Sequence, residues 1–179
     1  AIILAKTHQE AIYASNLVEV EIEFIGEPIL TLDDAYSKSS FLDEPIILEK
    51  GLLDNEMDRS KFKISDCFEI GGQDHFYLET HVALTFPSEN NEYTVWSSTQ
   101  HPTEVQHGVG KVLNIPSAKI DRKVSRLGGG FGCKESQATI FAAMSALCAF
   151  VTQQPVKIRL NRHQDMSASG KRHNFKIYF

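Results

Sequence analysis

The alternation Val18-Glu19-Val20-Glu21-Ile22-Glu23-Phe24 puts every apolar side chain on one side of an extended backbone and predicts a half-buried strand. Upstream, Thr7-His8-Gln9-Glu10 has the form of a capping box, opening a helix that runs to about Leu17. The apolar run Ala1–Ala5 before it reads as another strand. Gly26-Glu27-Pro28 turns the chain, and Thr31–Ser39 can hold a short helix. Residues 1–36 therefore read as a β-α-β piece, the C-terminal part of a small α/β domain. Residues 37–61 are polar with little periodicity, and are expected to form a connector over the surface.

From Lys61 the pattern becomes that of a sheet. Lys61–Ile70 and Phe76–Phe86 predict two strands around Gly71-Gly72, with Phe76, Leu78, Val82, Leu84 and Phe86 on one face. Ser88–Asn91 turns the chain into a strand over Tyr93–Ser98. Val105, Val109, Val112 and Leu113 give Thr103–Leu113 the spacing of an amphipathic helix. A strand is expected over Lys119–Leu127. Gln137–Val151 is apolar on nearly every face and predicts a buried helix. Pro155–Leu160 and Asn174–Phe179 complete the pattern as strands. The expected fold class is α+β, a mixed sheet with packed helices, with residues 62–179 as the N-terminal part of its domain.

Composition narrows the function classes. The 179 residues suffice for one good core. A net charge of −5, with Lys and Arg scattered, argues against a nucleic-acid groove. No apolar run approaches the ~20 residues that span a bilayer. The chain opens on a strand-like run without an initiator Met or a basic leader, so it reads as a piece of a longer polypeptide. Cys67, Cys133 and Cys148 lack metal-ligand spacing, which indicates neither a disulfide framework nor a zinc site and fits cytoplasmic thiols.

The candidate chemistry lies in Arg126-Leu127-Gly128-Gly129-Gly130-Phe131-Gly132-Cys133-Lys134-Glu135. Such a cluster lets the backbone adopt positive φ and approach a ligand closely. The following helix could offer its first N–H groups to a negative or dipolar ligand. The spacing is neither the dinucleotide fingerprint nor the phosphate loop that ends in Lys-Ser/Thr. A tight connection without a ligand is the competing reading. Gln73, after two glycines, is free either to reach a ligand or to satisfy backbone at a bend. Glu135 is either a substrate-binding carboxyl or an acid favoured by a helix N-terminus. His75, His101 and His107 lack paired ligand spacing and, with Glu79 and Arg126, read as structural.

Taken together, Gly71-Gly72-Gln73-Asp74-His75-Phe76-Tyr77-Leu78-Glu79, Ser98-Thr99-Gln100-His101-Pro102, the glycine loop, and Asp165-Met166 through Gly170-Lys171-Arg172-His173 resemble the molybdenum-cofactor subunit or domain of the xanthine dehydrogenase/oxidase family. The order and spacing are similar, and the likeness covers nearly the whole chain. It implies that residues 1–36 end a hammerhead-like domain and that residues 62–179 begin the molybdopterin-binding domain. It implies oxidative hydroxylation of a purine, hypoxanthine or xanthine, with water as the oxygen source. Gln73 would contact an oxygen ligand of molybdenum, and Phe131 and Gly132 would line the metal without ligating it. Gln100 would help hold the pterin, and Glu135 would hydrogen-bond the purine ring.

In that family electrons leave through 2Fe-2S clusters to FAD, and the general base lies beyond the position of Phe179. The chain would then carry one wall of the site and no catalytic base, and its parent would be a homodimer. Alternatives are an aldehyde oxidase-like or other N-heterocycle hydroxylase fragment, or a non-catalytic scaffold that binds a partner. One departure stands out: Cys133 replaces a glycine of the family's loop. If that position needs positive φ, the cysteine is strained by roughly 1 kcal/mol or more and Cys133→Gly would relieve it. It would also be a candidate reactive thiol.

Overall fold

The computed structural model describes residues 1–179, apart from the side chains of Asp54 and Asn55. The backbone forms two units, a larger one of residues 1–19 and 74–172 and a smaller one of residues 20–73 and 173–179. Helices and a mixed sheet make it an α+β protein, as the periodicity predicts.

In the larger unit, α1 (His8–Ser15) starts at the expected capping box: Thr7 accepts from the Glu10 N–H, and the Glu10 carboxylate accepts from the Thr7 N–H. The sheet contains β2 (Val82–Pro87), β3 (Tyr93–Ser97), β4 (Ile120–Lys123) and β5 (Val156–Arg159), in the order β4-β3-β2-β5. β3 and β4 are parallel, whereas β2 is antiparallel to both β3 and β5. β3 and β4 are joined through α4 (Pro102–Leu113), since parallel neighbours cannot be linked by a tight turn. Proline at the start of α4 and left-handed Asn114 after it fit the asymmetry of helix ends.

The core is small-residue packing between this sheet and two helices. α5 (Gln137–Thr152) lays Ala142 and Ala146 against Ala83, Tyr93 and Val95 of the sheet and Val105, Val109 and Leu113 of α4. Ser145 donates to the Val156 carbonyl at 2.8 Å and lies 3.0 Å from the Thr85 hydroxyl, so the buried polar atoms at this contact are paired. α6 (Arg162–Ala168) follows β5 and is capped by Asn161 and Gln164.

The smaller unit holds α2 (Leu32–Ser37), α3 (Leu53–Arg59) and the antiparallel pair β1 (Cys67–Ile70) and β6 (Phe175–Tyr178). Lys176 links β6 to Glu69 at 2.9 Å and to Asp33 at 2.6 Å.

Several expectations are corrected. Ala1–Ala5 and Val18–Phe24 are irregular, not strands. In the second segment both faces lie open, with Val20 and Phe24 exposed, because no neighbouring strand pairs with them. The region 37–61 contains the helix α3. The strand expected over Phe76–Phe86 begins only at Val82: Asp74 accepts the Phe76 N–H at 2.8 Å, and the resulting bend puts Phe76 at φ 47°. Its buried face is Ala83 and Thr85, opposite to the expected one, because only small side chains let α5 approach so closely. Finally, α5 is buried on one face only; Ile140, Leu147 and Val151 on the other are exposed.

Candidate functional site

Strand directions bring the motif segments to one end of the larger unit's sheet. β3 runs into Ser98-Thr99-Gln100, and parallel β4 runs into the glycine loop at the same end. β2 is antiparallel, so the segment 76–81 enters there, and β5 leaves there toward α6. The carboxyl ends of neighbouring parallel strands are where α/β sheets commonly place ligands.

Lys134 is the pivot. Its side chain is fully buried, at 0% exposure. The ammonium donates to the Glu79 carbonyl at 2.6 Å, the Ser98 hydroxyl at 2.9 Å and the Glu79 carboxylate at 3.2 Å, and lies 4.6 Å from the centre of the Tyr77 ring. Glu79 also accepts from the Ser98 hydroxyl at 2.6 Å and the Gly128 N–H at 2.9 Å. Burial pulls the lysine pKa down against the opposing pull of Glu79. Burial also pushes the Glu79 carboxyl up, but its bonds to Ser98, Gly128 and Lys134 outweigh this and hold it below its usual range. Such a pair is costly to break from the Glu79 side, because the fully buried Lys134 ammonium would lose its counter-charge.

On the other side of the loop, the Gln100 carboxamide oxygen accepts from the N–H groups of Gly132 at 3.0 Å and Lys134 at 3.2 Å. The Lys134 carbonyl accepts in turn from the Gln100 N–H and the Thr99 hydroxyl. Two of the glycines answer to these contacts. A Cβ on Gly128 would stand 2.5 Å from Glu79 Cβ, and one on Gly130 would stand 2.5 Å from the Gln100 oxygen. A side chain at Gly128 would therefore collide with Glu79, and one at Gly130 would displace the Gln100 carboxamide that holds the loop.

The turn exposes Phe131 and Gly132, with φ of 52° and 93°. Cys133 is buried, lies outside the left-handed region, and sits 3.7 Å from the Tyr77 hydroxyl and 3.5 Å from the Gly170 carbonyl. The condition for strain at Cys133, a positive φ, is therefore not met, Cys133→Gly has no strain to relieve, and the candidate reactive thiol is buried. Glu135 is exposed two residues before α5. Gln73 is exposed in the smaller unit. Among the described residues no cluster of His, Cys, Asp or Glu could hold a metal ion, and no helix is long and apolar enough to cross a membrane. A cavity of about 880 Å³ lies between the Ile3–His8 segment and β5, and none of the expected site residues lines it.

A second buried network, which motif reading misses, braces the segment 76–81. Asp165 of α6 accepts from the Tyr77 hydroxyl at 2.5 Å and the His81 N–H at 2.6 Å. Arg162 donates to the carbonyls of Tyr77 and Leu78 and stacks over the Phe76 and Tyr77 rings. His81 is fully buried between Tyr77 and Phe141, and neither ring nitrogen has a hydrogen-bond partner among the described residues.

Burial drives the His81 pKa down to about 4 from 6.5; Asp165 opposes the shift, while Lys134 and Lys171 reinforce it. Between those values the unfolded chain binds a proton that the folded chain refuses. Stability is therefore full above the upper value and declines as pH falls toward the lower one, by about 3 kcal/mol in all. Urea unfolding of the chain at pH 7 and pH 4.5 should show this loss, and His81→Phe should remove most of it. An equal acid loss in both proteins would mean that His81 is not its source.

Residues 40–179 match the family described as the molybdopterin cofactor-binding domain. The chain belongs to that family. Over 173 residues it is 40% identical to a xanthine dehydrogenase of Dictyostelium discoideum, a match covering 97% of this chain and 13% of the relative. It is 41% identical over 150 residues to nicotinate hydroxylase hnxS of Emericella nidulans, covering 81% of this chain and 11% of that protein. The solved quinoline 2-oxidoreductase of Pseudomonas putida 86 shares the fold, with a TM-score of 0.76 at 21% identity, over 93% of this chain and 22% of that one. The chain thus spans about an eighth of the length of the curated relatives.

Proposed function

We propose that this chain supplies one wall of the active site of a molybdenum hydroxylase acting on a purine, hypoxanthine or xanthine. The observation carrying the reading is the turn at Phe131-Gly132, braced from behind by Gln100 and Lys134, with an exposed carboxyl, Glu135, at its exit. Identity of 40% to a xanthine dehydrogenase supports it.

The residues suit an anionic metal centre. A Cβ built on Gly132 meets no atom within 4 Å, so the turn offers uncrowded backbone on its open side. Phe131, Gly132 and Gln73 are neutral, so none would repel anionic oxygens. When bound, the cofactor would supply two-electron oxidation with water as the oxygen source. Phe131 and Gly132 would line it, Gln73 would hydrogen-bond an oxygen ligand, and Gln100 would serve the pterin side by holding the loop. Glu135 would orient the ring through its nitrogen and oxo groups, as donor or acceptor according to protonation. The general base, the 2Fe-2S clusters and FAD would come from the remainder of a cytoplasmic, homodimeric parent enzyme.

A wider class of N-heterocycles is the second reading, favoured by the identity to nicotinate hydroxylase. Glu135→Ala in the complete enzyme tests the choice. A site built to hydrogen-bond its substrate discriminates strongly, so kcat/KM for xanthine should fall by ~10-fold or more. Aldehyde oxidation on the same preparation, of measured molybdenum content, should be retained or improved. An equal fall for both would mean that Glu135 organises the loop, and the purine assignment would fall with it.

A further inference from the structure

We propose that Lys134 is a positioning residue whose buried ammonium fixes the Phe131-Gly132 turn toward the cofactor. The proposal rests on the reading that this turn faces the molybdenum centre. Lys134 is the one residue of the loop held through all three of its polar groups: ammonium, N–H and carbonyl. Its ammonium ties the loop to Glu79, at the entry to β2, and to Ser98, at the exit of β3. Its N–H and that of Gly132 share the single Gln100 oxygen.

The same carboxylate that receives the ammonium also receives the Gly128 N–H, and the Gly128 carbonyl accepts from the Glu79 N–H. Both ends of the turn, Gly128 and Lys134, are therefore anchored to one residue, Glu79. Between them Gly129, Phe131 and Gly132 all have positive φ. Phe131 pays for its left-handed backbone, since a non-glycine residue there is strained and persists only where its surroundings over-determine it. Those surroundings are the two anchors and the Gln100 brace. Removing the charge at Lys134 takes the buried counter-charge away from the half-buried Glu79 and frees the turn to relax.

The test uses the complete enzyme with its cofactor, as wild type, Lys134→Met and Lys134→Arg. Deuterium uptake is measured for the peptide spanning residues 128–135, and the Mo(V) paramagnetic resonance spectrum is recorded per bound molybdenum. Lys134→Met should speed exchange of the loop amides ~10-fold or more, as expected when a local opening is eased. It should also change the Mo(V) spectrum, while Lys134→Arg restores the spectrum at least in part, because it keeps the charge on Glu79. Unchanged uptake and an unchanged spectrum in Lys134→Met would overturn the proposal.

If Lys134→Met fails to fold, Glu79→Gln decides. It removes the carboxylate that receives both the ammonium and the Gly128 N–H and should produce the same two changes; wild-type uptake and spectrum in that variant would equally sink the idea. A wild-type enzyme without molybdenum would instead defeat the cofactor reading, and the uptake comparison would still decide whether Lys134 holds the loop.

Discussion

Asp165→Ala is expected to destabilise the chain by about 3 kcal/mol or more, among the largest effects of any single substitution. The carboxylate is 1% exposed and accepts from the Tyr77 hydroxyl and the His81 N–H, with the Ser169 hydroxyl 3.3 Å away. Burial alone would raise its pKa, but these donors outweigh burial and keep it charged and low. Truncation would leave the buried His81 N–H without its acceptor and the Tyr77 phenol with only the weakly accepting Cys133 sulfur at 3.7 Å, at ~1–3 kcal/mol each. Tyr77→Phe removes only one of the bonds and should cost about 1 kcal/mol. Denaturant midpoints for the two variants measure the contrast. A loss from Asp165→Ala no larger than that from Tyr77→Phe would mean that water replaces the carboxylate and that the network does not hold the segment 76–81.

That network explains what the sequence concealed. The glycine loop, the Ser-Thr-Gln segment and the capping box at Thr7 were legible because each depends on residue types at fixed short spacing. Tyr77 and Asp165 are 88 residues apart, and no local pattern announces that one will accept from the other. Lys134 is a second case: nothing in its place between Cys133 and Glu135 announces burial, which comes from Glu79, Ser98 and the Tyr77 ring, all distant in sequence. β2 shows how packing overrides periodicity. Val82, Leu84 and Phe86 are the larger apolar face, yet Ala83 and Thr85 are inside because an alanine-rich helix needs a shallow surface.

The segments 1–5 and 18–24 fail for another reason. Alternation describes a residue pattern that suits a strand, but a strand forms only against a partner edge, and none is supplied to them here. Their exposed apolar side chains keep the pattern without the pairing. The domain division at residues 36 and 61 stands as a proposal drawn from the resemblance. The backbone itself divides after residues 19, 73 and 172, and β6 rejoins the smaller unit by pairing with β1.

Gln73 is the position with the largest expected effect on rate. Gln73 follows Gly71-Gly72 and carries an exposed carboxamide. We propose that in the complete enzyme the amide donates to an oxygen ligand of molybdenum, a contact that a neutral donor can make and a carboxylate cannot. Removing an oriented donor of this kind costs ~10²–10³ in rate, so Gln73→Ala should lower kcat by that factor. An exposed side chain contributes little to folding, so the thermal midpoint and molybdenum content should stay at wild-type values. Gln73→Glu should be at least as impaired, since it places a negative charge against anionic oxygens. The decisive comparison is kcat per bound molybdenum, which separates lost chemistry from lost cofactor. A normal value in Gln73→Ala would remove Gln73 from the site and leave the proposed contact with the metal centre to the Phe131-Gly132 turn.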